Sequence, residues 1–288
     1  MKVLAPAKIN LFLSVGARTP GGLHELVSVM QCVSLSDTLT VSVASGFSLD
    51  VTPPGSAPAD DNLVARAAGA FCSMQGVEPA FAFELTKTIP MAAGLGGGSA
   101  DAAATLVGLN DALGAAVSRK GLEKIGASLG SDVPFCVRGG TAFVTGVGDE
   151  LSPVVCAQPL WWVLGVSGAA LSTADVYAEF DRLGGGTLGD PHEVADTLAR
   201  GDIARLGSAL RNDLEAPAVA LMPALGSGRA ALERAGALGV VLAGSGPTWC
   251  GLARDEAHAR ALAADCAGVF ARVEVVESLT HGARVIER

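Results

Sequence analysis

The segment Pro90-Met91-Ala92-Ala93-Gly94-Leu95-Gly96-Gly97-Gly98-Ser99 constrains this chain more than any other. An alternating run, Phe81 to Leu85, precedes it and reads as a strand. A helical pattern follows, opened by Ser99 and Asp101, with Ala102, Leu106, Leu109 and Leu113 on one face. Glycines placed between a strand and a helix let backbone N–H groups approach an anion closely. The helix N-terminus adds its dipole and its unsatisfied donors. Such a loop holds phosphate without many basic side chains. Two other nucleotide loops are excluded. No Gly-Lys-Ser/Thr closes the segment, as a Walker loop requires, and Ser99 stands where a dinucleotide fingerprint has its third glycine.

Charge is informative because of this loop. Lys and Arg number 20 against 29 Asp and Glu, a formal net charge of −9. That balance argues against a general nucleic-acid binder, which needs clustered cations, but not against a polyphosphate held by backbone donors. Half the 288 residues are hydrophobic and 17% are charged, the reverse of a disordered chain. Glycine is abundant, at 37 residues, without the every-third-residue spacing of collagen. The length suits one large domain or two ordinary ones.

The six cysteines form no Cys-x-x-Cys, so structural zinc has no support and free buried thiols in a reducing compartment are expected. Lys8 and Asn10 interrupt the short apolar N-terminus, which does not read as a signal peptide. Leu151–Ala174 and Ala235–Ala253 are long and uncharged. The first contains Pro153 and Pro159 and the second Gly244-Ser245-Gly246-Pro247, so both read as buried strands with turns rather than membrane spans. No membrane association and a cytoplasmic location are expected.

Strands are expected at Ile9–Val15, Leu39–Val43, Thr141–Thr145, Trp161–Val166, Val240–Ala243, Thr248–Ala253 and Arg272–Glu277. Asp60-Asp61-Asn62 supplies a helix cap before Leu63, Ala67, Ala70 and Phe71, after a proline-rich loop at Val51–Pro58. Further helices are expected near Lys120–Leu129, Asp175–Leu183, Pro191–Arg200, Pro217–Arg234 and Glu256–Val269. Strands mixed with helices on both sides of residue 155 indicate two α+β units.

Three other segments carry chemistry. Lys8, in Pro6-Ala7-Lys8-Ile9-Asn10, either snorkels out of its strand or has an anionic partner. Asp132, in Ser131-Asp132-Val133-Pro134-Phe135, is a turn or cap residue before an apolar strand-like run, or a reactive carboxylate. Gly244-Ser245-Gly246-Pro247 is a tight turn after a buried strand. In this order, together with the glycine loop, they resemble the GHMP small-molecule kinase superfamily. Gly22-Leu23-His24-Glu25-Leu26 and Gly146-Val147-Gly148-Asp149 narrow the resemblance to the branch that phosphorylates a cytidine-diphosphate methylerythritol, in the non-mevalonate isoprenoid pathway.

The resemblance implies a two-domain α+β fold. Residues 1–157 would form a ribosomal protein S5 domain 2-like unit carrying the ATP loop, Lys8 and Asp132, and residues 158–288 a ferredoxin-like unit. It implies ATP and Mg2+ as cofactors, and phosphoryl transfer to the 2-hydroxyl of the methylerythritol moiety. Asp132 is then the catalytic base and Lys8 its charged partner. ATP contacts fall to Pro90, Met91, Ala92, Ala93, Gly94, Leu95, Gly96, Gly97, Gly98, Ser99 and Ala100, with Asn62 at the adenosine and Gly244 and Ser245 over the phosphates. Ser99 is the candidate metal contact. Asn10, His24 and Tyr177 fall to the cytidine end. Leu23 departs from the family, which usually has Tyr there, and Met30 supplies no replacement ring, so the cytosine sandwich is one-sided or apolar on one face. Lys87 either approaches the nucleotide or is a solvated strand-end lysine. The partners implied are small molecules and the chain a monomer or weak dimer. The Gly-x-His and Ser-Asp-Val-Pro contexts weigh against homoserine or mevalonate kinase, and the presence of Lys8, Ser99 and Asp132 together weighs against a non-catalytic relative.

Overall fold

Two long antiparallel strands, β1 (Lys2–Arg18) and β2 (His24–Val43), form the spine of the protein. The computed structural model describes residues 1–54 and 62–288. After the spine come β3 (Ser48–Thr52), α1 (Leu63–Gln75), β4 (Phe81–Thr86), α2 (Gly97–Ala112), α3 (Arg119–Ala127), α4 (Val133–Arg138), β5 (Thr141–Thr145) and β6 (Glu150–Pro153). The rest of the chain forms β7 (Trp161–Val166), α5 (Thr173–Arg182), α6 (His192–Arg200), α7 (Ile203–Ala209), β8 (Arg211–Asn212), α8 (Glu215–Leu221), α9 (Leu225–Ala235), β9 (Gly239–Leu242), β10 (Thr248–Ala253), α10 (Glu256–Cys266), β11 (Arg272–Glu277) and β12 (Arg284–Glu287).

The described strands make two sheets. The larger runs β12-β1-β2-β4-β3, with β5 and β6 continuing from β2 and β8 beside β1. The smaller is antiparallel, β11-β7-β10-β9. Most of β1 from Val3 to Val15 is buried, so its sequence reads as an apolar run with few polar residues rather than an alternation. The register of β1 on β2 shifts between Pro6 and Lys8 and again between Asn10 and Phe12. Bulges re-aim side chains. Between these two shifts Lys8 and Asn10 share one face of the strand, and Ile9 takes the other.

Helix α2 is buried nearly all round. Ala102, Ala103, Ala104, Leu106 and Leu109 are all inaccessible, between β1 and β2 on one side and α1 and α4 on the other. Its small residues let these neighbours close in from several directions, which replaces the single apolar face expected. Leu113, assigned to that face, is instead the C-cap and is 37% exposed. Asn62 caps α1, its side-chain oxygen accepting from Val64 N at 2.9 Å. Asp60, Asp61 and the second half of the Val51–Pro58 loop lie outside the described residues, and Val51 and Thr52 belong to β3.

Two further expectations change. The apolar run after Asp132 is not strand-like but the short helix α4, with Pro134 in its first turn. A run this short has no period to separate strand from helix, and Pro is well suited to a helix start. The helix expected over Pro217–Arg234 is two, α8 and α9, separated at Met222-Pro223-Ala224, because Pro223 cannot continue the backbone ladder. The uncharged stretches resolve into β6, β7 and the start of α5, and into β9 and β10. Among the described residues no helix is long and apolar enough to cross a membrane. All six cysteines are free, and all but Cys156 are buried.

The burial of α2 makes a stability prediction. Leu106→Ala should cost about 2–5 kcal/mol in chemical denaturation, because nothing nearby is free to fill the cavity. Leu113→Ala, at the exposed end of the same helix, should cost less than about 1 kcal/mol.

Candidate active site

A cleft of about 1230 Å³ opens between β1, the glycine loop, the start of α4, α5 and the turn joining β9 to β10. It is lined by every residue from Pro90 to Ser99. It also brings together Lys8, Asn10, His24, Asn62, Asp132, Tyr177, Gly244 and Ser245. Ala100 is the exception among the expected residues: it is wholly buried in the first turn of α2 and faces the core.

Lys8 organises the centre. It is 4% exposed, and its backbone N–H donates to Leu95 O at 3.0 Å, tying β1 to the glycine loop. Its aliphatic stem runs against Gly96, where a Cβ would come 2.9 Å from Lys8 Cγ. The ammonium donates to Asn10 Oδ1 at 3.0 Å and stands 3.4 Å from Asp132 Oδ2. Asn10 is itself held, donating to Ser28 Oγ at 2.9 Å, and Ser28 donates to Phe12 O at 2.6 Å. A buried ammonium needs such partners, because desolvation without them costs several kcal/mol. The Asp132 side chain is 27% exposed, so the carboxylate is both paired and reachable from the cleft.

The two glycine segments interlock above this pair. Gly94 has φ +75°, and a Cβ there would sit 2.0 Å from Ala243 O. Asn212, from β8, fixes the opposing turn by donating to Leu242 O at 2.8 Å and to Gly244 O at 2.7 Å. Ser245 Oγ lies 2.9 Å from Thr173 Oγ1 at the start of α5. Helix α2 begins at the glycine loop with Gly96 as N-cap and no side-chain cap, so its first-turn N–H groups are offered to the cleft.

A second buried cation lies under the loop. Lys87 is neither a solvated lysine nor unpaired. Its ammonium bridges Asp37 and Asp101 at 2.5 Å each, and a Cβ on Gly97 would lie 3.3 Å from Lys87 Nζ. Asp37 also accepts from the backbone N–H groups of Thr88 and Ile89, fixing the approach to the glycine loop. Burial pushes the Asp101 carboxyl up to about 8; the Lys87 charge opposes this and the neighbouring Asp37 adds to it. Burial works against the Lys87 charge too, yet Asp101 and Asp37 outweigh it and hold this pKa above the ordinary value.

At the other end of the cleft the His24 ring stands 5.2 Å from that of Tyr177, with 33° between the planes, and His24 Nε2 lies 2.8 Å from Asp181 Oδ1. Burial, and then the nearby Asp132 charge, raises the Tyr177 hydroxyl to about 12. Leu23, 59% exposed, lies at the cleft rim and puts an aliphatic side chain where the resemblance leads one to expect a Tyr ring. Arg18, Asp101 and Asp181 also line the cleft; by sequence Asp101 is only a helix-opening residue, and the other two carry no site role. Helical spacing gives a signal for one of them: Asp181 follows Tyr177 by four residues and so shares its face of α5.

Two predictions follow from these contacts. Gly94→Ala should cost at least about 1–3 kcal/mol in chemical denaturation, because its methyl cannot coexist with the Ala243 carbonyl. Folding raises the Asp101 pKa, so the folded state holds this proton more tightly than the unfolded chain. The group therefore subtracts stability as pH rises from its ordinary 3.8 to about 8. Asp101→Asn should flatten the fall in melting temperature across that window.

Residues 62–140 match the family described as GHMP kinases N terminal domain, and residues 194–271 that described as GHMP kinases C terminal. A curated protein of Nocardia farcinica, called 4-diphosphocytidyl-2-C-methyl-D-erythritol kinase, is 44% identical over 99% of this chain and 96% of its own length. A Mycobacterium tuberculosis protein of the same description is 41% identical over 99% of this chain and 92% of its own. A crystal structure described as 4-(cytidine 5'-diphospho)-2C-methyl-D-erythritol kinase superposes with a TM-score of 0.82 at 34% identity, covering 96% of this chain and 99% of that one. A homoserine kinase from Cytophaga hutchinsonii, 20% identical with a TM-score of 0.77 over 99% and 97% of the two chains, shares the fold. With relatives this similar along almost its whole length, and with both domain families matched, the chain belongs to the 4-diphosphocytidyl-2-C-methyl-D-erythritol kinase family of the GHMP kinases.

Proposed function

We infer that this chain transfers the γ-phosphoryl group of ATP to the 2-hydroxyl of 4-diphosphocytidyl-2-C-methyl-D-erythritol, a step of the non-mevalonate route to isoprenoid precursors. The observation that carries this reading is the Lys8–Asp132 pair, 3.4 Å apart beneath two interlocked glycine turns. A hydroxyl attacking phosphorus must lose its proton, and a carboxylate at hydrogen-bond distance is the group to take it. Asp132 is that base. Lys8 lies between Asp132 and the glycine loop, so one fixed positive charge orients the carboxylate and faces the phosphoryl group as charge builds on its oxygens.

The residues from Pro90 to Ser99 cradle the phosphates with backbone N–H groups and the free N-terminus of α2. Gly244 and Ser245 close over them. Asn62 spends its side-chain oxygen on capping α1, which leaves its amide N–H donors for the adenosine. His24, Asn10 and Tyr177 take the cytidine end, with Leu23 as an apolar edge in place of a second ring. We assign the ATP loop and the Lys8–Asp132 pair to a unit spanning residues 1–157, and the closing turn and Tyr177 to 158–288.

Mg2+ fits this site as a guest of the phosphates. The Ser99 hydroxyl, at the cleft wall in the first turn of α2, is a suitable oxygen ligand, and Mg2+ at kinase sites takes most of its remaining ligands from phosphate and water. When bound it neutralises charge on the β- and γ-phosphoryl oxygens.

The test is an ADP-release assay with the cytidine-diphosphate acceptor alongside homoserine and mevalonate, for wild type and Asp132→Asn. Turnover should appear with the cytidine-diphosphate acceptor alone. Asp132→Asn should lose at least about 100-fold in kcat while keeping ATP affinity within about threefold. Near-normal turnover by a folded Asp132→Asn protein would remove Asp132 from the role of base.

A further inference from the structure

The charge inventory of the cleft leaves one group without a role. Three cationic side chains line it: Lys8, Arg18 and Lys87. Four carboxylates do so as well: Asp101, Asp132, Asp149 and Asp181. Lys8 is committed to Asp132, and Lys87 to Asp101 and Asp37. Asp181 is taken by His24. Asp149 accepts from the Val147 backbone N–H at 3.3 Å. Among the described residues, Arg18 has no carboxylate within ion-pair distance, and it is the cleft cation of which this holds.

Its surroundings hold it in place without neutralising it. Arg18 is the last residue of β1, and its Cα partner across the ladder on β2 is His24. Ladder partners lie about 4.5–5.5 Å apart, so the two side chains are neighbours at one end of the cleft. Arg18 Nε donates to Gly22 O at 2.9 Å, closing the turn between the strands and directing the guanidinium over Gly22. A Cβ on Gly22 would lie 3.7 Å from Arg18 Nη2. One of five guanidinium donors is used in this contact, and the Nη donors remain for an acceptor. A planar guanidinium with free paired donors matches a phosphate oxygen edge.

The rest of the cleft makes such a cation necessary. Without Arg18 its fixed side-chain charges sum to two cations against four carboxylates, or three when Asp101 is protonated. The acceptor substrate brings a diphosphate of its own in addition to the ATP phosphates, and the glycine loop and α2 N-terminus serve the latter. An anionic acceptor therefore needs a positive group of its own, beside the base-binding end, because its diphosphate follows directly on the cytidine ribose.

We propose that Arg18 is the docking point for the diphosphate of the acceptor substrate, and that it makes the site select a cytidine diphosphate over an uncharged cytidine. This rests on the reading of His24 and Tyr177 as the cytidine end. It assigns Arg18 to acceptor binding and specificity, apart from the ATP phosphates and from proton transfer.

The experiment is calorimetric binding of cytidine and cytidine diphosphate to the full chain, with a non-hydrolysable ATP analogue saturating the other site. Wild type, Arg18→Ala and Arg18→Lys are compared. Wild type should bind the diphosphate about tenfold or more tighter than the nucleoside, as one exposed charge-assisted phosphate contact allows. Arg18→Ala should shrink that preference to within about twofold, with cytidine affinity unchanged and a weaker dependence of diphosphate affinity on salt. Arg18→Lys should restore part of it. In turnover assays the KM for the acceptor should rise and the KM for ATP should hold, a split that a merely structural role for the turn would not give. A diphosphate preference undiminished in Arg18→Ala would overturn the proposal, as would a wild type with no preference or an equal loss of ATP affinity. Failure of wild type to phosphorylate the cytidine-diphosphate acceptor at all is a separate result, and it counts against the function proposed above.

Discussion

A lysine ammonium that is almost wholly buried must be neutralised where it sits, and the centre of this protein is arranged around that requirement at Lys8. Two register shifts in β1 bracket Lys8 and Asn10 and set both on the cleft side. Gly96 lacks the atom that would collide with the lysine stem, and Asn10, steadied by Ser28, supplies one oxygen acceptor. Asp132 at the start of α4 supplies the opposite charge. Because α4 packs against α2, and α2 is fixed by burial on all sides, the carboxylate is delivered by two rigid elements rather than by a mobile loop. A carboxylate held this way is pre-positioned, as the proposed role of base requires.

The same logic explains how an acidic chain handles polyanions. Net charge is a property of the whole surface, whereas a phosphate site needs only local donors. In the proposed complex the phosphate-facing groups are largely backbone N–H dipoles at the glycine loop and the α2 N-terminus. The two cations under the loop, Lys8 and Lys87, are each tied to carboxylates. Lys87 reinforces the loop from below through Gly97 and, with Asp37, anchors the residues before Ile89. The interlock of Gly94 with Ala243 then joins the two sheets at the cleft and gives a physical reason for glycine at that position beyond compositional bias.

Much of the site was legible in the sequence because its signals are local. The glycine loop, the Asn62 cap and the Gly244 turn are each defined within a few residues. Lys8 and Asp132 stand out as charges in apolar runs, and their family resemblance gave them roles. What escaped was whatever depends on distant packing. β1 is buried through nearly its whole length, so alternation marked only Ile9–Val15 of a 17-residue strand. α2 is enclosed rather than amphipathic, so a one-face reading misplaced Leu113. The partners of Lys87 lie 50 and 14 residues away in sequence, and no spacing rule joins them. Arg18 and Asp181 became visible once the β1–β2 turn and α5 were seen to meet at the same cleft.

In the proposed ternary complex the acceptor hydroxyl is bound beside Asp132 and beneath the glycine loop, with the cytidine at the opposite end of the cleft. A crystal structure of the ternary complex with a non-hydrolysable ATP analogue and the cytidine-diphosphate methylerythritol tests it most directly. The account predicts the 2-hydroxyl oxygen within about 2.6–3.2 Å of an Asp132 carboxylate oxygen, in line with the terminal phosphorus, and the cytosine against Tyr177 and His24. A hydroxyl held away from Asp132 and against another carboxylate, or a cytosine bound outside the His24–Tyr177 end, would contradict it.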